Sequence, residues 1–229
     1  NGVRVVIKPT EFKQDEILFS AFSKGGQSLV ATEDLVSAAL ATDVISVSGI
    51  ADMTMTDLQK ALTGKNISLS PSINANTESI EGGTTVKDLE TLLQLNYLYF
   101  TAPRRDENAY AMLMSVLESQ LANRDKNPKV AFSDSVSMMA NNYSPRTVIF
   151  NQEALTHADL DKSLEIYKAR FANPADFIFA FVGNVNPDDE AFQQLVCTWL
   201  GSLKTSKKKE AVRDNGDRVP DGINKNYFS

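Results

Sequence analysis

Two periodicities alternate along the chain. VRVVI (3–7) and ILFSAF (17–22) are runs of β-branched and aromatic residues separated by a polar connection containing Pro9, which predicts a strand pair ending at Gly25-Gly26. The spacing then becomes helical. Val36, Leu40, Val44 and Val47 recur up to Gly49, with Thr32 as N-cap ahead of Glu33 and Asp34, so a buried helix is expected over about 33–47. A capping box of Thr54 with Asp57 starts a short helix through Leu58, Ala61 and Leu62 to Gly64. Period two returns from 66, where Ile67, Leu69, Ile73 and Ala75 alternate with small polar residues around Pro71: a strand or two with one wet face.

Helical spacing resumes with Leu89, Leu92, Leu93 and Tyr97 on one face, and Met112, Leu113, Val116, Leu117 and Leu121 on another, separated by Pro103. A shorter helix is expected from Pro128 to about Ala140, followed by the loop NNYSPRT. Thr156 and Asp159 read as another capping box, with Leu160, Leu164, Tyr167 and Phe171 on the helix behind it. FIFAFVG (177–183) has no polar side, as expected of a strand covered on both faces or packed deep under helices. Pro187 suits the first turn of a last helix whose apolar side is Phe192, Leu195, Val196 and Trp199. After Leu203 the text is polar and aperiodic, which reads as an exposed linker, with Lys207, Lys208 and Lys209 keeping it wet. Strands, then helices, then strand and helix predict an α+β fold, an antiparallel sheet with helices packed on one face, rather than a doubly wound sheet. The domain is expected over 1–203, with a linker and the start of a following segment over 204–229.

Composition narrows the function. A chain of 229 residues that is 42% hydrophobic can bury a sizeable core, and a net charge of −6 argues against broad attraction to nucleic acid. No apolar run reaches the length of a membrane span. Asn1-Gly2 carries neither an initiator Met nor a signal peptide, and NKNYFS ends on strand-forming residues, so the chain reads as a fragment of a longer polypeptide. The single Cys197 sits in AFQQLVCTWL and is expected to be a buried small hydrophobe.

Candidate chemistry is sparse. Zinc catalysis needs three protein ligands and an open position, and one histidine, His157, cannot supply them. A Ser-His-Asp or Cys-His unit would need that same His157, which reads instead as a solvated or capping residue. GGQS, GGTT and FVGNVN match no phosphate-binding glycine pattern. Glu107 and Glu118 share a helix with Ser115 and Ser119 and read as a solvated face. An unrelated small-molecule enzyme built on Glu118 or Asp43 is the weakest alternative.

What points further is a resemblance. NGVRVVIKPTEFKQDEILFSAFSKGGQS, a helix closing in SGI, TMTDLQKALTGKNISLSPSIN, PRRDENAYAMLMSVLESQLANRDKNP and FIFAFVGNVNPDDEAFQQLVCTWLGSL, in that order, resemble a lobe of the pitrilysin/insulysin zinc metallopeptidases. The resemblance spans most of 1–203 and implies a metallopeptidase-lobe fold like that of mitochondrial processing peptidase. In the family's catalytic lobe the motif HxxEH supplies two His ligands and a Glu general base. Counting back from Gly49 puts Leu40, Asp43 and Val44 at those places, and the third ligand, a Glu, falls at Ser119, or at Glu118 with a shift of one. The resemblance therefore implies a noncatalytic lobe: no catalytic, cofactor or metal residue here, zinc in an HxxEH lobe of the same chain or a partner subunit, and an unfolded peptide substrate enclosed between the two. Arg146 and Tyr143 receive no catalytic role. A bacterial periplasm or cell envelope fits the family, and a structural or binding subunit of the same fold is the competing reading.

Overall fold

The computed structural model describes residues 1–225. Residues 226–229, where the sequence places strand-forming Tyr227 and Phe228, lie outside the described residues. Five strands form one sheet: β1 (Arg4–Pro9), β2 (Ile17–Lys24), β3 (Ile67–Ile73), β4 (Thr77–Thr84) and β5 (Ile178–Gly183), in the order β1-β5-β2-β4-β3. Three of the four pairings are antiparallel, and β1 runs parallel to β5 with Arg4 beside Ile178. The first two strands are therefore not partners, contrary to the local reading. β5 slots between them because its apolar side matches both neighbours: Phe179 lies beside Val5 and Ala21, and Phe181 beside Ile7 and Phe19.

Helices cover one face of this sheet. In chain order they are α1 (Leu35–Ser48), α2 (Met55–Ala61), α3 (Leu89–Thr101), α4 (Glu107–Leu121), α5 (Pro128–Ala140), α6 (Gln152–Leu155), α7 (Leu160–Arg170) and α8 (Glu190–Trp199). The α+β class expected from element order is what the chain adopts. Strand β2 shows the one-sided arrangement: Ile17, Phe19 and Ala21 are buried beneath the helices, while Leu18 and Phe22 point the other way and are exposed. The same holds for β5: of the two settings expected for FIFAFVG, cover on both faces and packing deep under helices, the strand has the second, with Phe179 and Phe181 buried while Ile178, Ala180 and Val182 are only half-buried.

Local chemistry sets the helix ends. The Thr54 hydroxyl accepts from the Asp57 N–H at 3.2 Å and the Asp57 carboxylate accepts from the Thr54 N–H at 3.3 Å, a complete capping box on α2. Thr156 does not cap α7; its hydroxyl donates to the Glu153 carbonyl at 2.7 Å, and Asp159 is itself the N-cap, accepting from the Lys162 N–H at 2.7 Å. Thr32 does not cap α1 either, because its hydroxyl accepts from Arg146. Asp189, not Pro187, stands at the start of α8. Cys197 is exposed, since the helix turn places it away from Phe192, Leu195 and Trp199.

The residues after Leu203 are mostly exposed, yet they are tied back across the domain. Ser206 donates its N–H to Asn173, Arg170 pairs with Glu210 at 2.8 Å, and Arg213 and Asn215 donate to Ser28 at 3.0 and 2.9 Å. Asp217 then accepts from Ser144 and lies 3.8 Å from the Arg146 guanidinium.

Candidate functional site

The place to test for chemistry is the contact of α1 with α4. Helix α1 is apolar on nearly every side, which commits it to burial on two fronts. Leu35, Ala38, Ala41 and Ile45 join the core over the sheet, whereas Leu40 and Val44 join a second cluster with Leu155 and Leu160. Into that second cluster α4 sends Tyr110, Leu113, Met114, Leu117 and Leu121. At the position that the resemblance assigns to the third ligand, Glu118 and Ser119 are exposed, while the neighbouring Leu117 packs against the cluster that holds Leu40 and Val44. Met112 and Val116, expected on the packed face of α4, are exposed instead. The helix is wound so that Leu113, Leu117 and Leu121 carry the contact.

Gly49 closes α1 with φ of +84°, and a Cβ there would stand 2.2 Å from the Met53 carbonyl oxygen. Only glycine permits the chain to turn so close to its own backbone. Ser37 stitches α1 to α7: its hydroxyl accepts from the Asp159 N–H at 3.0 Å, and its carbonyl accepts from the Ser163 hydroxyl at 3.0 Å.

The donor set does not fit zinc. Leu40 and Val44 offer no lone pair, and Asp43 lies at the exposed edge of α1, its carboxyl raised by partial desolvation. Among the described residues no group of three or more His, Cys, Asp or Glu could hold a metal ion. His157 is exposed at the end of α6, where its carbonyl accepts from Ser37 at 3.5 Å. Glu107 is exposed and bound to Arg105, which also grips Asp161 of α7 at 2.6 Å.

Two polar clusters lie elsewhere, and neither was visible in the sequence. Arg146 donates to the carbonyls of Gln27 and Val30 at 2.7 and 3.1 Å and to Thr32 at 3.1 Å, so its guanidinium fastens the loop after α5 onto the turn after β2. It borders an open cleft of about 590 Å³ with Ser28, Asn76, Arg213 and Asp217. The second cluster centres on Glu78, 1% exposed on β4, whose carboxylate accepts from the Gly26 N–H at 2.6 Å. Gly26 has φ of +53°, and a Cβ there would meet the Asn74 carbonyl oxygen at 2.2 Å, which keeps that N–H accessible only to a glycine turn.

Burial raises the Glu78 carboxyl above the ordinary glutamate range, with the Gly26 N–H, the Ser23 hydroxyl and the Arg170 charge opposing in part. The folded state thus holds the proton more tightly than the unfolded chain, so Glu78 costs stability increasingly as pH climbs from the ordinary glutamate range through the raised value. Glu78→Gln is expected to flatten that decline. Urea midpoints measured between about pH 4 and pH 7 should fall less with pH in the variant; parallel profiles would mean that Glu78 titrates as in the unfolded chain.

The five-stranded α+β fold with its filled α1–α4 interface has likenesses among known proteins. No family model matches the chain. It is 27% identical over 208 residues to a zinc protease PQQL-like protein of Arabidopsis thaliana, covering 89% of this chain and 19% of that protein. Its structure superposes on the periplasmic protease PqqL of Escherichia coli with a TM-score of 0.77 at 22% identity, covering 93% of this chain and 23% of that one. It also superposes on a peptidase M16 inactive domain from Pseudomonas fluorescens with a TM-score of 0.68 at 16% identity, covering 91% and 51%. The resemblance to a noncatalytic pitrilysin-type lobe is borne out by these likenesses, and the chain spans about a fifth of the length of the curated relative.

Proposed function

We propose that this chain is the noncatalytic lobe of a two-lobed zinc metalloendopeptidase, enclosing unfolded peptide and helping to bind it while an HxxEH lobe performs the hydrolysis. One observation supports the reading: Leu40 and Val44, which the resemblance sets at the family's two histidine positions, are buried in a mainly hydrocarbon cluster. A lobe that keeps the fold while its ligand positions are filled with hydrocarbon retains shape and surface as its contribution. By analogy with the Escherichia coli relative, the periplasm is the proposed compartment.

A fluorogenic unstructured peptide, assayed with this chain, with its HxxEH lobe, and with both, tests the division of labour. This chain alone is expected to cleave nothing, and the pair to cleave in a chelator-sensitive way. Turnover by this chain alone, or a catalytic lobe fully active without it, would refute the proposal.

A further inference from the structure

The face of the sheet away from the helices is divided into two halves. On β4 and β3 it is polar, with Ser68, Ser70, Ser72, Ser79 and Glu81. On β1, β5 and β2 it is mainly apolar: Val6, Ile178, Ala180, Val182, Leu18 and Phe22 lie around the single hydroxyl of Ser20, with Val6 54% and Leu18 50% exposed. Exposed cations border this apolar half, Arg4 and Lys8 on β1 and Lys24 at the end of β2, and none has an ion-pair partner among the described residues. In a chain of net charge −6 that is a local reversal of sign.

The two edges of the sheet differ as well. Strand β3 carries Pro71, which has no N–H to offer and blunts an edge against further pairing. Strand β1 has no proline between Arg4 and Lys8 and pairs only with β5 among the described residues, so alternate backbone N–H and C=O groups face outward unmatched.

We propose that the β1 edge is a docking site for an extended acidic–apolar peptide segment, added as a further strand. Residues of an added strand alternate between the two faces of the sheet, so their preferred identities follow from β1. Beside Arg4 and Lys8 the segment carries acids, and beside Val6 an apolar residue. The two positions between fall next to Val5 and Ile7, which pack against the core, and are apolar too. The pattern recognised is acid, three apolar residues, acid. Main-chain pairing supplies binding, and the basic pair supplies selection. This rests on the reading of the lobe as a peptide-binding partner and adds the class of peptide it takes.

The probe is a fluorescein-labelled peptide with the central segment Glu-Ile-Val-Ile-Glu in a Gly-Ser flank, titrated by anisotropy with the whole 229-residue chain at low salt. It should bind about tenfold or more tightly than the Lys-Ile-Val-Ile-Lys counterpart, a preference that shrinks as salt is added. Hydrogen exchange should slow at residues 4–8 on binding. Arg4→Glu with Lys8→Glu, at exposed positions the fold does not depend on, should reverse the preference, while Ser68→Lys with Ser70→Lys at the other edge should leave it intact. No binding, equal affinity for the two peptides, protection appearing at β3, or a preference that survives the charge reversal would each overturn the docking site. Such a failure leaves the three-sample peptidase assay untouched, and a peptidase that does not need this lobe would overturn the lobe's role while leaving binding at β1 intact.

Discussion

A chain carrying Leu40→His, Asp43→Glu and Val44→His is expected to lose much of its stability and to gain neither zinc nor peptidase activity. Leu40 is 3% exposed and Val44 fully buried, and their cluster is hydrocarbon from Leu155, Leu160, Leu113 and Leu117 apart from the single hydroxyl of Tyr110, too little to satisfy two imidazoles. Leu40→Ala alone should cost about 2–5 kcal/mol, the usual range for truncating a buried leucine. Each buried imidazole adds roughly 1–3 kcal/mol for polar groups left unmatched. The total is a large part of the 5–15 kcal/mol or so that holds a typical domain together. Metal is not expected to repay this loss, because Ser119, read at the third ligand position, carries no carboxylate and is exposed on α4. Urea titration and zinc analysis after dialysis give the readout. Stoichiometric zinc with an unchanged midpoint would show that the α1–α4 cluster is not what the packing indicates.

The sequence made α1 legible because its signal is one-dimensional: Val36, Leu40 and Val44 at helical spacing, ended by a glycine that the backbone requires at φ +84°. It could equally show that Leu40 and Val44 are not ligands, since residue type alone settles what can donate to a metal. What it could not show was which α4 residues meet them. Leu113, Val116 and Leu117 are all apolar, and only the rotation of α4 in the packed lobe separates the contact residues from exposed Val116. Strand partnership was similarly hidden. The pairing of β1 with β5 joins residues more than 170 positions apart, and nothing local announces that β5 enters between two strands adjacent in sequence. Thr32 and Thr156 illustrate the same limit at the scale of one side chain: each looks like a cap, and each hydroxyl is engaged elsewhere. The Arg146 and Glu78 clusters were invisible for a related reason, because their partners come from segments remote in the chain.

Phe179→Ala is expected to be the most damaging single truncation, at about 3–5 kcal/mol. Phe179 is fully buried in an aromatic chain that crosses four elements: its ring lies 5.8 Å from Phe100 of α3, 6.2 Å from Phe177 and 6.3 Å from Phe19 of β2, while Phe177 continues to Phe171 behind α7 at 5.6 Å. Rings at such separations contribute about 0.5–1.5 kcal/mol per pair beyond the area they bury. Removing the central member leaves a cavity that β5 cannot close, because Val5 and Ala21 hold it in register on both sides. Val182→Ala, three residues along but on the half-exposed outer face, provides the contrast and should cost less than about 1 kcal/mol. Urea melts of both variants measure the difference. If Phe179→Ala lost no more than Val182→Ala, the assignment of β5's inner face as the keystone between sheet and helices would be wrong.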